Sequence, residues 1–279
     1  MLDIVNKNMI FVAYKPPFVS SNFYLQSLKH RYKIKKIGYS GTLDPFASGV
    51  LVIATGSYTK LLNHINLSPK VYIATVWLGA ESSSLDMENI SKVNIVSEFS
   101  ISQINKVLHS LKGKITYTPP IFSAKKINGI RAYKLARDNQ PIELSSITTE
   151  VFDINLLHYS HPFLSFKIIV QKGTYIRSIG YLIANKLGVS GTLSNLIRIK
   201  EGNFCFENYK ILPPLDILTY EKINLKEYEE DFKYGRKIIL KNDKISKNKR
   251  YIAIFDNFFS IIEFNDIGEI RYILNNLEF

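Results

Sequence analysis

Asp44 is the side chain in this 279-residue sequence with the clearest chemical setting. It stands between Leu43 and Pro45 in the stretch Gly38-Tyr39-Ser40-Gly41-Thr42-Leu43-Asp44-Pro45-Phe46-Ala47-Ser48-Gly49. Three glycines and one proline mark that stretch as an irregular loop, and the apolar run at 50–54 reads as the buried strand it feeds. Proline confines the residue before it to extended backbone, so Asp44 is expected in one conformation. An aspartate with apolar neighbours is either a solvated turn residue, a place where Asp is favoured, or a positioned functional group. As a functional group it works ionised, as a nucleophile or a proton acceptor. Arg177, in Lys172-Gly173-Thr174-Tyr175-Ile176-Arg177-Ser178, opens a helix and offers a planar pair of donors to a carboxylate or a phosphate. Tyr72 presents an aromatic face in Lys70-Val71-Tyr72-Ile73-Ala74-Thr75-Val76-Trp77-Leu78-Gly79, where by composition alone it is one more strand aromatic.

The elements that must position these residues follow from pattern. The segment 9–14 reads as a strand stopped by Lys15-Pro16-Pro17, and Ser20 or Ser21 caps a helix with Phe23, Leu25 and Leu28 on its apolar positions. That helix runs into Lys29-His30-Arg31-Tyr32-Lys33-Ile34-Lys35-Lys36, a solvated basic end that also suits phosphate contact. A short helix is expected from Ser57, a strand over 70–79, and a capped helix from Ser100-Ile101-Ser102-Gln103. Two β-rich stretches, 148–158 and 163–171, flank the turn Ser160-His161-Pro162, and a helix then ends near Gly188. Pro213-Pro214 introduces a charged linker helix, after which strands are expected at 237–240, 251–255, 258–264 and 270–274. Strands and helices mix without a regular βαβ alternation, which favours an α+β fold with a largely antiparallel sheet.

Lys and Arg total 36 against 24 Asp and Glu, a net charge of +12 that suits a polyanionic partner such as a nucleic acid. Cys205 is the sole cysteine, which excludes an intramolecular disulfide or a cysteine-cluster metal site. The sequence has no phosphate-binding P-loop and no H-E-x-x-H motif. The first residues lack a signal-type apolar core, and no apolar run approaches the roughly 20 residues that span a bilayer. A cytoplasmic protein with no membrane association is expected.

The stretch from Tyr39 to Leu51 resembles the catalytic motif of the TruB family of tRNA pseudouridine synthases, G-H-[TS]-G-x-L-D-P-x-A-[TS]-G-x-L, whose catalytic aspartate falls on Asp44. Tyr39 stands where that family has histidine. The segment 14–21 is similar to the family's [D/Y]-K-P-x-G-x-[ST]-S, with Lys15 on the lysine and Phe18 in place of the glycine. The strand at 70–79 resembles K-x-Y-x-x-x-x-x-L-G, whose tyrosine stacks on the target base, here Tyr72. The segment 172–178 matches K-G-T-Y-I-R-[ST], carrying Tyr175 and an arginine, Arg177, that pairs with the aspartate. The segment 191–199 resembles A-x-[LV]-x-x-L-R-R-x; Leu196 would pack the base, and Ile197 replaces an arginine. Around 119–137 the pattern P-P-x-[FY]-S-A-x-K-x-x-G-x-[RK]-x-Y-x-x-A-R is recognisable, with Lys125, Lys126, Arg131 and Arg137 as RNA-backbone contacts. The segment 82–88 departs from the family's acidic loop, with only Asp86 aligned, and is expected to be a variable loop. The resemblance covers about residues 9–206.

That resemblance implies isomerisation of a uridine to pseudouridine at position 55, in the TΨC loop of tRNA. The N-glycosidic bond breaks, the uracil rotates, and C5 rejoins the sugar, with no cofactor, metal or protein partner required; a monomer is the default expectation. The base is extruded onto Tyr72 with Leu196 as an apolar wall, and Tyr39, Lys15 and Tyr175 complete the substrate contacts. Asp44 acts either as nucleophile or as the base that takes the 2′ proton, and Arg177 would hold its pKa normal or depressed. The implied fold is an α+β pseudouridine synthase catalytic domain at 1–212, its mostly antiparallel mixed sheet flanked by helices. A linker helix at 213–231 and a short PUA-like β domain at 232–279 would follow.

Overall fold

The computed structural model describes residues 8–123, 125–127, 129–132, 135, 144–240 and 246–279. In chain order its elements up to the site are β1 (Ile10–Lys15), α1 (Ser21–Arg31), β2 (Ile37–Tyr39), β3 (Ser48–Thr55), β4 (Lys70–Leu78), β5 (Ala80–Ser82), β6 (Ile90–Val93), α2 (Ile101–His109) and β7 (Gly113–Tyr117). There follow a small hairpin, β8 (Lys126–Ile127) and β9 (Ile130–Arg131), then β10 (Ile147–Ser160), β11 (Phe163–Val170), α3 (Ile176–Lys186) and β12 (Gly191–Glu201). Among the described residues, eight strands form one sheet in the order β1-β3-β12-β4-β11-β10-β7, with β2 also paired to β3. Every pairing in it is antiparallel except β3 with β12, so the sheet is mixed and mostly antiparallel, as expected.

Local sequence explains the elements nearest the site. Ser20 caps α1 by accepting the Phe23 N–H, and Lys33, at φ 51°, ends any continuation of the helix into the basic run. β3 is buried along its whole length, which is why it reads as an unbroken apolar run and not as an alternating one. On one face Val50, Val52 and Ala54 pack with Ile10 and Val12; on the other Leu51 and Ile53 pack with Phe11, Ala13 and Leu25. The main core lies on the other half of the sheet, between β4, β10, β11, β12 and helices α2 and α3. Leu43, Phe46 and Ala47 of the Asp44 loop are part of that core, so an irregular loop is held as firmly as a strand. Among the described residues no helix is long and apolar enough to cross a membrane.

The C-terminal part contains α4 (Pro214–Ile217), β13 (Glu221–Ile223), α5 (Glu229–Tyr234), β14 (Arg250–Ile254), β15 (Phe258–Phe264) and β16 (Ile270–Glu278). The last three strands match those expected, and β13 adds to them in the sheet β13-β14-β15-β16. The helix expected over 213–231 is therefore two short helices and a strand. Pairing with β14, and packing of Ile223 on the cluster around Phe232 and Tyr251, outweigh the weak helix propensity of the charged stretch. The strand expected at 237–240 reduces to one bridge, Ile239 with Glu269. The C-terminal sheet packs onto the back of β1 and β3, where Ile252, Phe259, Ile261 and Leu277 join Ile10, Val12, Val50 and Val52 in one cluster.

Candidate active site

Asp44 is fixed from both sides. Ser21 Oγ at the start of α1 both donates to the Leu43 carbonyl and accepts the Leu43 N–H, at 2.9 Å each. On the other side Lys15, fully buried, donates its Nζ to the carbonyls of Pro45 (3.2 Å), Pro16 (2.8 Å) and Val19 (2.7 Å). The ammonium thus ties two loops together, with the Lys15 expected at the substrate engaged by three backbone carbonyls. Lysine is long enough to reach across from β1, and its charge was misleading as a sign of exposure. Desolvation lowers the Lys15 pKa to about 8, opposed by the charge of Asp44.

Arg177 lies in the first turn of α3 and is buried itself, yet its guanidinium reaches Asp44: Nη2 donates to Oδ1 at 3.1 Å. Its Nε lies 3.0 Å from Oδ2 but off the hydrogen-bond line, so that contact contributes charge and not a bond. The same guanidinium donates to the carbonyls of Ser84 and Phe122 at 2.7 Å each, which fix its plane. Asp86 holds its remaining side, with Oδ2 at 3.3 Å from Nη1. Asp86 is buried and orients itself by accepting from Ser84 Oγ (2.6 Å) and the Glu88 N–H (3.1 Å). Sequence reading missed it, because its loop departs from the family pattern; the signal was that Asp86 alone stayed aligned.

The Asp44 side chain is 34% exposed, whereas the Arg177 side chain is 4% exposed, so one carboxylate opens to solvent above a buried cation. Partial burial raises the Asp44 pKa above the ordinary carboxylate value; Arg177 pulls against that rise and Asp86 adds to it. The expectation was that Arg177 would keep this pKa normal or low; desolvation outweighs its pull, with the nearby Asp86 adding to the rise.

Register places the other residues. Tyr72 of β4 lies opposite Arg198 of β12, and Ala74 opposite Leu196. Tyr72 and Leu196 are buried in the same core cluster as Leu43, and the charge of Asp44 acts on the Tyr72 phenol. Burial raises the Tyr72 pKa, with Arg198 pulling it down. Tyr175 precedes α3, packs on this core, and donates its N–H to Tyr117 Oη at 2.8 Å. Tyr39 is different: it packs on the cluster of Phe11, Leu25 and Ile53 on the α1 side of β3, not on the Tyr72 core. Arg137 lies outside the described residues.

Beneath the loop is a buried charge network that the sequence did not suggest. Lys70 lies opposite Glu201 in register, with Nζ 2.8 Å from Oε1. Glu201 also accepts from Ser40 Oγ and approaches Arg198 Nη2 at 3.5 Å. Arg198 in turn donates to the carbonyls of Gly41 and Val50, at 2.8 Å each. Two glycines permit the close approach: a Cβ on Gly41 would lie 2.5 Å from Lys70 Nζ, and one on Gly49, at φ +114°, would lie 2.2 Å from the Arg198 carbonyl oxygen. Among the described residues no three His, Cys, Asp or Glu side chains are grouped so as to hold a metal ion. What the arrangement can do is present one carboxylate, with a fixed cation behind it, to a group lodged against Tyr72 and Leu196.

A family model described as TruB family pseudouridylate synthase (N terminal domain) matches residues 29–176. The tRNA pseudouridine synthase B of Helicobacter hepaticus is 50% identical over 275 residues, spanning 97% of this chain and 96% of that protein. The protein of the same name from a Sulfurovum species is 47% identical, over 97% of each chain. That from Campylobacter jejuni is 44% identical, over 97% of this chain and 99% of its own. Among solved structures, a chain in the crystal structure of a Cbf5-Nop10-Gar1 complex superposes with a TM-score of 0.65 at 19% identity, covering 97% of this chain and 84% of that one. At that identity the likeness concerns the fold.

Proposed function

The chain belongs to the TruB family of pseudouridylate synthases, and from that premise we propose that it isomerises uridine to pseudouridine in tRNA, at position 55 of the TΨC loop. The observation that carries this reading is the carboxylate of Asp44, one-third open to solvent and backed by the buried Arg177. The target lies in a folded loop, so the base must leave its stack to reach such a group. In this reading the uracil stacks on Tyr72 and packs against Leu196, and the ionised Asp44 acts on the ribose or base as nucleophile, or takes the 2′ proton. The glycosidic bond to N1 breaks, the ring turns, and a bond to C5 forms; the proton of C5 is released. Tyr72 acts by stacking, since burial makes its phenol a weaker acid and so leaves it protonated near neutrality. Arg177, Lys15 and Asp86 act by position. Residues 1–212 carry the chemistry, and the C-terminal sheet is an RNA-binding accessory of PUA type. The basic residues of the chain supply affinity that falls with salt, not choice of uridine.

The test is tritium release from an unmodified tRNA transcript labelled at C5 of uridine, with the modified position mapped. Wild type is expected to release label at the TΨC loop, and Asp44→Asn to release none. Release mapping to another position overturns the substrate assignment, and tight, salt-sensitive binding by an inactive wild type overturns the enzymatic one.

A further inference from the structure

Phe18 is held in an unfavourable place. Its backbone has φ 62°, in the left-handed region that suits glycine and strains other residues, and its ring is 67% exposed. Neither feature helps the fold: the ring is out in water and the backbone is strained. Yet the segment is rigid. Pro16 and Pro17 fix the approach to Phe18. Immediately after it, the Val19 carbonyl is bound by Lys15 Nζ, which also binds the Pro45 carbonyl, and Ser21 is bonded twice to Leu43. The stretch that carries Phe18 is therefore stitched to the two residues that flank Asp44. A strained, exposed aromatic ring so placed adds little to stability and presents a free face beside the Asp44 loop.

We infer that Phe18 is a substrate contact: it stacks on an unpaired nucleotide beside the one that enters the Asp44 site. This rests on the reading that RNA is the substrate. Extruding one base from a loop leaves neighbours with an uncovered face, and an aromatic side chain covers such a face whatever the base. The occupant is a nucleic acid and not an apolar partner because α1, which begins three residues after Phe18, ends at the exposed Arg31 and is followed by the exposed cations Lys33, Lys35 and Lys36. The helix spans about 16 Å at 1.5 Å per residue, so a short run of backbone phosphates bridges the two ends.

The experiment compares wild type, Phe18→Gly, Phe18→Leu and Phe18→Trp for affinity to a synthetic TΨC stem-loop, for kcat/KM by tritium release, and for melting temperature. Loss of one stacking contact is expected to weaken affinity and kcat/KM of the Gly and Leu variants at least fivefold. Phe18→Trp is expected to stay within about twofold, because it keeps the aromatic face. The Gly variant is expected to melt no lower than wild type, since glycine suits the backbone. Unchanged stem-loop affinity in Phe18→Gly overturns the inference, as does a lowered melting temperature in that variant or equal loss in Phe18→Trp. Self-association that disappears in Phe18→Gly while RNA affinity stays intact also overturns it. An inactive wild type fails the functional reading, while the affinity comparison still reads Phe18; an active wild type equalled by Phe18→Gly fails the inference alone.

Discussion

Asp86 Oδ2 lies 3.3 Å from Arg177 Nη1, so the guanidinium that pairs with Asp44 is shared with a second, buried carboxylate. One cation between two acids cannot neutralise both fully. With burial acting in the same direction, the acid that faces solvent has its pKa raised, and Asp86 is one cause of it.

Asp86→Asn removes that second charge while keeping the shape of the side chain. On the proposed function Asp44 acts ionised, so the acid limb of the pH–rate profile is expected above the ordinary carboxylate range in wild type and moves to lower pH in the variant. The maximal rate falls about tenfold, the effect of weakening one charged hydrogen bond that orients Arg177. Single-turnover rates measured across the acid range check both; an unmoved midpoint contradicts the shared-cation account.

Asp44→Asn abolishes turnover and leaves stem-loop affinity within about threefold, which filter binding measures; that much loss is under 1 kcal/mol. Its effect on stability has a definite sign. A carboxyl whose folded pKa is raised contributes stability below its unfolded pKa and loses it as pH rises to the folded value. Asparagine carries no such penalty, so at neutral pH the variant melts at or above the wild-type temperature in a thermal scan.

Lys15→Met unties the carbonyls of Pro16, Val19 and Pro45 and removes a charge that favours ionised Asp44. The acid limb therefore moves to higher pH, opposite to Asp86→Asn, and kcat falls more than affinity. Wild type also has an alkaline limb near pH 8, where the Lys15 ammonium loses its proton and one of its donors, and the variant lacks that limb. A pH–rate profile that extends to the alkaline side distinguishes the two enzymes.

Glu201→Gln leaves Lys70 and Arg198 buried without their counter-charge. Breaking such a set from one side costs about 3–5 kcal/mol, or a fall of about 10 °C in melting temperature. Lys70→Met combined with Glu201→Gln recovers part of the loss, because the buried cation leaves with its partner. Calorimetry of the two variants measures the difference.

Much of this was legible in the sequence where pattern and chemistry coincide. The glycine–proline punctuation and apolar run located the loop and β3, and the resemblance brought Asp44, Arg177, Tyr72 and Leu196 together, as the structure does. What stayed hidden depends on long-range register. Lys15 and Glu201 look like surface charges in sequence, and only strand pairing and loop closure show them fully buried. Tyr39 falls beside the aspartate in the motif, yet β2 runs antiparallel to β3 and turns its ring to the α1 side. The charged linker read as helix because its alternative, an edge strand along β14, requires a partner thirty residues on.

Ile10 and Leu277 share one hydrophobic cluster, together with Val50 and Val52 of the strand that follows the Asp44 loop. During synthesis at about 5–20 residues per second, that strand waits on the order of ten seconds or longer before Leu277 exists to cover it. Until then the apolar faces of Val50 and Val52 lack the cover that the C-terminal sheet gives them.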